Sequence, residues 1–181
     1  MALKSTIFKA DLQVSDLDRE HYAGYNLTIA RHPSETDQRM MLRLIAFALY
    51  ADERLQFTRG LSAEDEPDLW RLNLRDEVDL WIDLGQPDEK RVRKACGRAQ
   101  QVVILSYGGA AADIWWKKNA DKLSRCDNLT VLNVSEAESS ALEAVVERTM
   151  QVQVTIDHGQ VWLTSGEHSL SVTPAVWKRV S

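Results

Sequence analysis

The stretch from Val78 to Tyr107 constrains the fold most, because it reads as strand, helix, strand. Val78, Leu80, Ile82 and Leu84 alternate with Asp79, Trp81 and Asp83, the period-two pattern of a strand. Gln86-Pro87-Asp88 then opens a helix that runs through Gln101, with Val92, Ala95, Cys96, Ala99 and Val103 as its buried stripe. Val102 to Tyr107 follows as a continuous apolar run, the mark of a central strand covered on both faces. Two strands joined by a helical crossover are parallel neighbours. A chain holding this unit is expected to be a mixed α/β protein.

The flanks supply a second set of strands. Thr6, Phe8, Ala10, Leu12 and Val14 alternate with Lys9, Asp11 and Gln13, and after a turn at Ser15–Asp18 the alternation resumes over Tyr25–Ile29. At the other end, Met150, Val152, Val154 and Ile156 alternate with glutamine and threonine, then turn at Asp157-His158-Gly159 into Val161-Trp162-Leu163, and again into Leu170-Ser171-Val172. The terminal strands are expected to form an added antiparallel sheet. Between them, Pro33 ends a strand, Ser34 is the expected N-cap, and Glu35 and Asp37 load the first turn of a helix that is apolar almost all round from Met40 to Leu49. Leu55–Arg59 reads as a short strand ended by Gly60, and 62–66 as an acidic loop. Gly108-Gly109 turns into a helix over AADIWWKKNADKLSRC, followed by a strand at Leu129–Val134 and a helix from Ser135 or Glu136 to about Glu147. With no repeat and no low-complexity linker, 1–181 is read as one domain in three parts: a β-hairpin over 1–31, a core over 32–134, and a helix with strands over 135–181.

Composition narrows the function. Twenty-seven acidic residues against 22 basic ones give a net charge of −5, which argues against a protein basic over its whole surface but leaves room for a local stripe. No segment approaches the ~18 apolar residues of a membrane span, the N-terminus lacks a signal peptide's apolar run, and two cysteines, Cys96 and Cys126, read as small buried hydrophobes in a reducing compartment. A cytoplasmic, non-membrane monomer is expected. The four histidines form no metal-spaced pair, which argues against zinc. Gly108-Gly109 lacks the spacing of a phosphate-binding glycine motif. Trp115-Trp116-Lys117-Lys118 has the chemistry to stack bases, or divides between core and interface.

The acids carry the sharper chemistry. Pro67-Asp68 is followed after fourteen residues by Asp83-Leu84-Gly85 at the end of a strand. If 68–74 is a strand in a tight hairpin with 78–84, Trp70 faces Trp81 and Asp68 faces Asp83. Like charges so opposed destabilise the pair, and a Mg²⁺ ion reverses the sign. If Asp65 instead caps a short helix with Pro67 in its first turn, Asp68 is a capping residue and the pairing is lost. Glu35, Arg39 and Arg43 share one helical face, where they serve a site or form an internal Glu35–Arg39 ion pair.

Long motifs carry a resemblance. The runs RHPSETDQRMMLRLIAFALYADERLQFTRGL, DEPDLW, DLWIDLGQPDEKRVRKAC and ERTM resemble the bacterial YaeQ family over essentially the whole chain. That family is similar to the PD-(D/E)XK nuclease superfamily, which implies a restriction-endonuclease-like αβββαβ core, Mg²⁺ as cofactor and nucleic acid as partner. Carried over by position, Glu35 is the helical acid, Asp68 the aspartate of the PD element and Asp83 the second carboxylate. The superfamily's lysine falls at Gly85. Lys94 or Arg91 on the next helix is the implied source of positive charge, with Arg39 orienting the acids. The alternative implied is a non-catalytic binding protein that kept the fold and lost the lysine.

Overall fold

The computed structural model describes residues 4–59 and 65–180; Gly60 and most of the 62–66 loop lie outside them. The elements run β1 (Thr6–Asp16), β2 (His21–Arg31), α1 (Asp37–Leu49), β3 (Leu55–Phe57), β4 (Leu69–Leu72), β5 (Val78–Leu84), α2 (Glu89–Arg98), β6 (Gln101–Ser106), α3 (Ala110–Leu123), β7 (Leu129–Asn133), α4 (Glu136–Ala141), β8 (Thr149–Asp157), β9 (Gln160–Ser165), β10 (His168–Val172) and β11 (Ala175–Lys178). The fold is mixed α/β with two sheets. The chain divides into two compact units, one of Met1–Ala51 with Ala137–Thr173, the other of Asp52–Glu136 with Pro174–Ser181. Thus α1, assigned by sequence to the 32–134 segment, packs with the terminal strands.

The first unit is a five-stranded sheet in the order β10-β9-β8-β1-β2. Its inner face buries Phe8, Ala10, Leu12, Val14, Met150, Val152, Val154 and Ile156, the alternating positions of β1 and β8. One expectation needs correction. β1 and β8 pair parallel, Leu12 opposite Val152, so the sheet is mixed rather than antiparallel. Period-two alternation assigns a face to each side chain but no direction to the strand, and these two strands are joined by no hairpin. In α1 every residue from Met40 to Ala48 is buried, as its unbroken apolar run requires. The helix starts two residues later than expected: Thr36 Oγ1 caps it by accepting from Arg39 N–H at 3.1 Å, whereas Ser34 Oγ is engaged with His32 Nδ1 at 2.7 Å. Glu35 therefore precedes the helix. The last helix is also shorter than expected, giving way after Ala141 to a 3-10 turn over Leu142–Val145 before Val146 becomes extended.

The second unit is a six-stranded sheet in the order β11-β7-β6-β5-β4-β3. β5, β6 and β7 are parallel, with Ile82 opposite Val103 and Val103 opposite Thr130, as the crossover pattern requires. Val78, Trp81, Val102, Ile104 and Val131 pack with Val92, Ala95, Trp115 and Leu123 of α2 and α3. Burying each such aliphatic side chain contributes roughly 1.5–3 kcal/mol, so a charge at Ile104 would break this layer. α2 ends at Arg98 rather than running through Gln101. Ala99 is already extended, and Asn128 Nδ2 donates to the carbonyls of both Cys96 and Ala99 at 3.0 Å. Gln101 is thereby released to pair with Leu80 in β6. β11 is a short strand on the β7 edge, where Trp177 stacks on Trp116 at 5.9 Å. Trp116 and the buried Trp115, whose indole donates to Pro87 O at 2.7 Å, are thus structural. Cys96 and Cys126 are free, and each is half-buried rather than buried.

Candidate functional site

The segment 68–74 is a strand. β4 covers Leu69–Leu72 and pairs antiparallel with β5, Trp70 opposite Trp81 and Leu69 opposite Ile82. The helical alternative for this segment is excluded. One step further, Asp68 N–H donates to Ile82 O at 3.0 Å, which brings Asp68 alongside Asp83 at the mouth of the hairpin. Both aspartates are buried, at 5% and 2% exposure. Asp68 Oδ2 accepts from Leu84 N–H at 2.9 Å, so its carboxylate is held by the partner strand's backbone.

Asp83 is held by side chains. Trp81, two residues back on the same face of β5, donates its indole N–H to Oδ2 at 3.0 Å. Arg91 Nε donates to the same oxygen and Nη2 to Oδ1, both at 3.0 Å, a bidentate fork. Arg91 reaches back because Asp88 caps α2, accepting from Arg91 N–H at 2.8 Å, and so sets the first turn beside the end of β5. The guanidinium also donates to Glu66 O at 2.9 Å and lies 5.7 Å from the Trp81 ring centroid. Even so, the Asp83 carboxyl is pushed above the ordinary aspartate range. Burial is the chief cause; the Arg91 and Trp81 hydrogen bonds oppose it, and the neighbouring Asp68 charge adds to it. Asp83 in turn pushes the Arg91 guanidinium up.

Gly85, at the lysine position, has a physical reason to be glycine. Its φ of +89° lies in the left-handed region, and its N–H donates to Leu105 O at 2.9 Å as β5 ends. A lysine there would be strained. Lys94 is exposed on α2 and lines a small recess with Asp65, Trp81, Arg91, Ala95 and Arg98.

Glu35 belongs to the first unit, and its carboxylate is wholly engaged. Arg39 Nη1 donates to Oε2 at 2.8 Å, while Arg43 donates to both oxygens, from Nε at 3.0 Å and Nη2 at 2.5 Å. Arg43, itself buried, also donates to Ala30 O at 2.9 Å. The anticipated Glu35–Arg39 pair is present, and Arg43 makes it a triad. Helical spacing placed Arg43 on the right face, and only its reach beyond the N-cap was missing. Trp81 and Arg98 were also missed, though the i, i+2 spacing of Trp81 to Asp83 and the i, i+7 spacing of Arg91 to Arg98 were there to be read. Among the described residues no group of three or more His, Cys, Asp or Glu side chains is placed to hold a metal.

The motifs around these residues extend through relatives of the chain. The model of the family described as YaeQ protein matches residues 1–174. The chain belongs to the YaeQ family. It is 48% identical over 181 residues, all of both chains, to the uncharacterized YaeQ proteins of Escherichia coli (strain K12) and Salmonella typhi. The crystal structure of YaeQ from Xanthomonas axonopodis pv. citri superposes with a TM-score of 0.94 at 50% identity, covering 96% of this chain and 98% of that one. YaeQ from Pseudomonas syringae gives 0.90 at 35% identity, with 97% of each chain covered. The two-sheet mixed α/β fold is thus the YaeQ fold, and none of its described helices is long and apolar enough to cross a membrane.

Proposed function

We propose that this YaeQ protein is a nuclease-like phosphodiesterase, with Asp68 and Asp83 as the acids that take Mg²⁺. The observation that carries the reading is the hairpin register that sets these two buried carboxylates side by side where β5 ends. The chain order α1, β3, β4, β5, α2, β6 supports it, since it is the αβββαβ order of the restriction-endonuclease-like core. The donor set fits a hard cation, which takes one or two carboxylates and completes its shell with water and phosphate oxygens. Two carboxylates against one guanidinium leave a net negative charge at the pair. A bound Mg²⁺ supplies an activated water and offsets charge on the phosphoryl group. Within the chain, Arg91 positions Asp83 and offers positive charge to a phosphate, and Lys94 stands on the next turn of α2.

Gly85 and the bidentate Arg91–Asp83 fork favour a second reading, in which the fold is kept for binding and Arg91 permanently takes the cation's place. Cleavage assays on single- and double-stranded DNA and RNA with Mg²⁺, run beside Asp83→Asn, separate the two. Metal-dependent cleavage lost in the variant supports the first. Intact substrates with unchanged binding in both proteins would support the second and reject the first.

A further inference from the structure

The sheet of the first unit has a gap in it. β8 runs over Thr149–Asp157, but β9 pairs only with its latter part, from Gln153 opposite Thr164 to Asp157 opposite Gln160. β9 stops there because Gly166, at φ +58°, turns the chain tightly into β10, where His168 lies opposite Ser165. Thr149 to Val152 are thus paired on one side only, with β1. The ladder fixes where their backbone groups point. Lys9 N–H donates to Arg148 O and Leu17 N–H to Ile156 O, both at 2.8 Å, so the even-numbered residues of β8 face β1. The odd-numbered ones face the other way. Thr149 and Gln151 therefore each present an N–H and a C=O to the side that β9 has left. Such an edge is a template for another strand.

The vacant side is a cavity. It holds about 390 Å³, lined by Val145, Glu147, Thr149, Gln151, Glu167 and His168, within the ~300–1,000 Å³ of ordinary ligand sites. Its charge is acidic. Glu147 and Glu167 are exposed and form no ion pair or hydrogen bond among the described residues. Arg148 is engaged elsewhere, donating to Ile7 O at 3.1 Å and lying 5.6 Å from the Phe8 ring centroid. Lys9 stands across β8 on β1, opposite Thr149, and leaves the two acids in excess. We infer that this notch binds an extended peptide segment bearing lysine or arginine, which adds a short strand to β8 in line with β9. Four residues at ~3.3 Å each, roughly 13 Å, fill the gap. Peptide residues opposite Thr149 and Gln151 place their side chains on the exposed face with them, and the alternate ones fall on the apolar face of Met150 and Val152. Backbone hydrogen bonds hold any such strand, and the two acids select its charge. All of these residues lie in the first unit, so the inference does not rest on the phosphodiesterase reading.

The test uses the full-length protein and a fluorescein-labelled peptide, Lys-Val-Lys-Val-Lys with blocked ends. Binding is read by anisotropy, and amide exchange by NMR. The Thr149 and Gln151 amides should exchange quickly in the free protein and at least about tenfold more slowly with peptide at saturation. Thr155, already paired with Trp162, should not change. Glu147→Gln/Glu167→Gln should weaken binding about fivefold, the sum of two exposed ion pairs, and both side chains are exposed, so folding is unaffected. The peptide Glu-Val-Glu-Val-Glu should not bind. N-methylation of the lysine amides keeps the charge but removes the donors aimed at β8, and should weaken binding at least about tenfold. Binding with unchanged exchange at Thr149 and Gln151, or equal binding by the N-methylated peptide, would overturn the inference, because charge attraction alone would explain it. So would no binding at about 1 mM peptide, or Thr149 and Gln151 amides already protected in a dimer of the free protein, which assigns the notch to a second copy.

Discussion

Removing Arg91 isolates what holds the acidic pair together. Arg91→Ala deletes two hydrogen bonds to a carboxylate that is 97% enclosed, its side chain being 3% exposed. Breaking a fully buried ion pair costs ~3–5 kcal/mol, and hydrogen bonds to charged groups contribute ~1.5–3 kcal/mol. Arg91 is itself 29% exposed, so water enters the vacated space, and the loss should fall near the lower end, ~2–3 kcal/mol. In a domain of this size that lowers Tm by roughly 5–10 °C. The loss should depend on pH. Burial raises the folded-state Asp83 carboxyl above its unfolded value. Its contribution is then most favourable below the unfolded pKa and is lost as pH rises through the folded one. Without Arg91 the folded value climbs further, so the variant's deficit should be largest near pH 8 and narrow towards about pH 5, as Asp83 takes a proton. Urea unfolding followed by circular dichroism, on parent and variant at both pH values, measures this. Asp83→Asn/Arg91→Ala should lose less than Arg91→Ala, because no buried charge is stranded. A variant as stable as the parent near pH 8, or a deficit that widens on acidification, would refute this electrostatic reasoning.

Three further outcomes follow from the same contacts. Glu35→Ala strands the buried Arg43 guanidinium and should destabilise by ~3 kcal/mol, whereas Arg39→Ala, which leaves Arg43 paired, should cost under ~1.5 kcal/mol, both by urea unfolding. Gly85→Lys should not restore a superfamily-like lysine: at φ +89° it should cost ~1–2 kcal/mol in unfolding experiments and leave metal affinity no higher than the parent's. Trp177→Ala removes the stack on Trp116 and should cost roughly 1–2 kcal/mol, seen as faster amide exchange in β11 and β7.

How far the sequence reached depended on which interaction each feature answers to. Strand faces and the β5–α2–β6 crossover were legible from period-two alternation, and the Trp70–Trp81 register followed from the short hairpin once 68–74 is a strand, which the residues alone left open against a capped helix. The parallel pairing of β1 with β8 was not, since direction in a sheet is settled between strands far apart in the chain. Helix ends were missed where a competing partner decided them: His32 engages Ser34 and leaves the cap to Thr36, and Asn128 takes the carbonyls that end α2. At the site, the acids and their register could be read from spacing. What Arg91 does could not, because the same helical position serves a solvated face or a reach back to Asp83, and the cap at Asp88 decides between them. Gly85 was read as a lost lysine, and its backbone conformation adds that the turn itself asks for glycine.

The acidic pair is tested most directly by titrating Mg²⁺ into the full-length protein by calorimetry, beside Asp68→Asn and Asp83→Asn, each of which keeps its side chain's shape. The register and burial of these two carboxylates predict one binding event in the parent, weakened at least tenfold, about 1.4 kcal/mol, in either variant. Equal heats in all three proteins, or no binding to the parent at about 10 mM Mg²⁺ where a two-carboxylate oxygen site should fill, would contradict it.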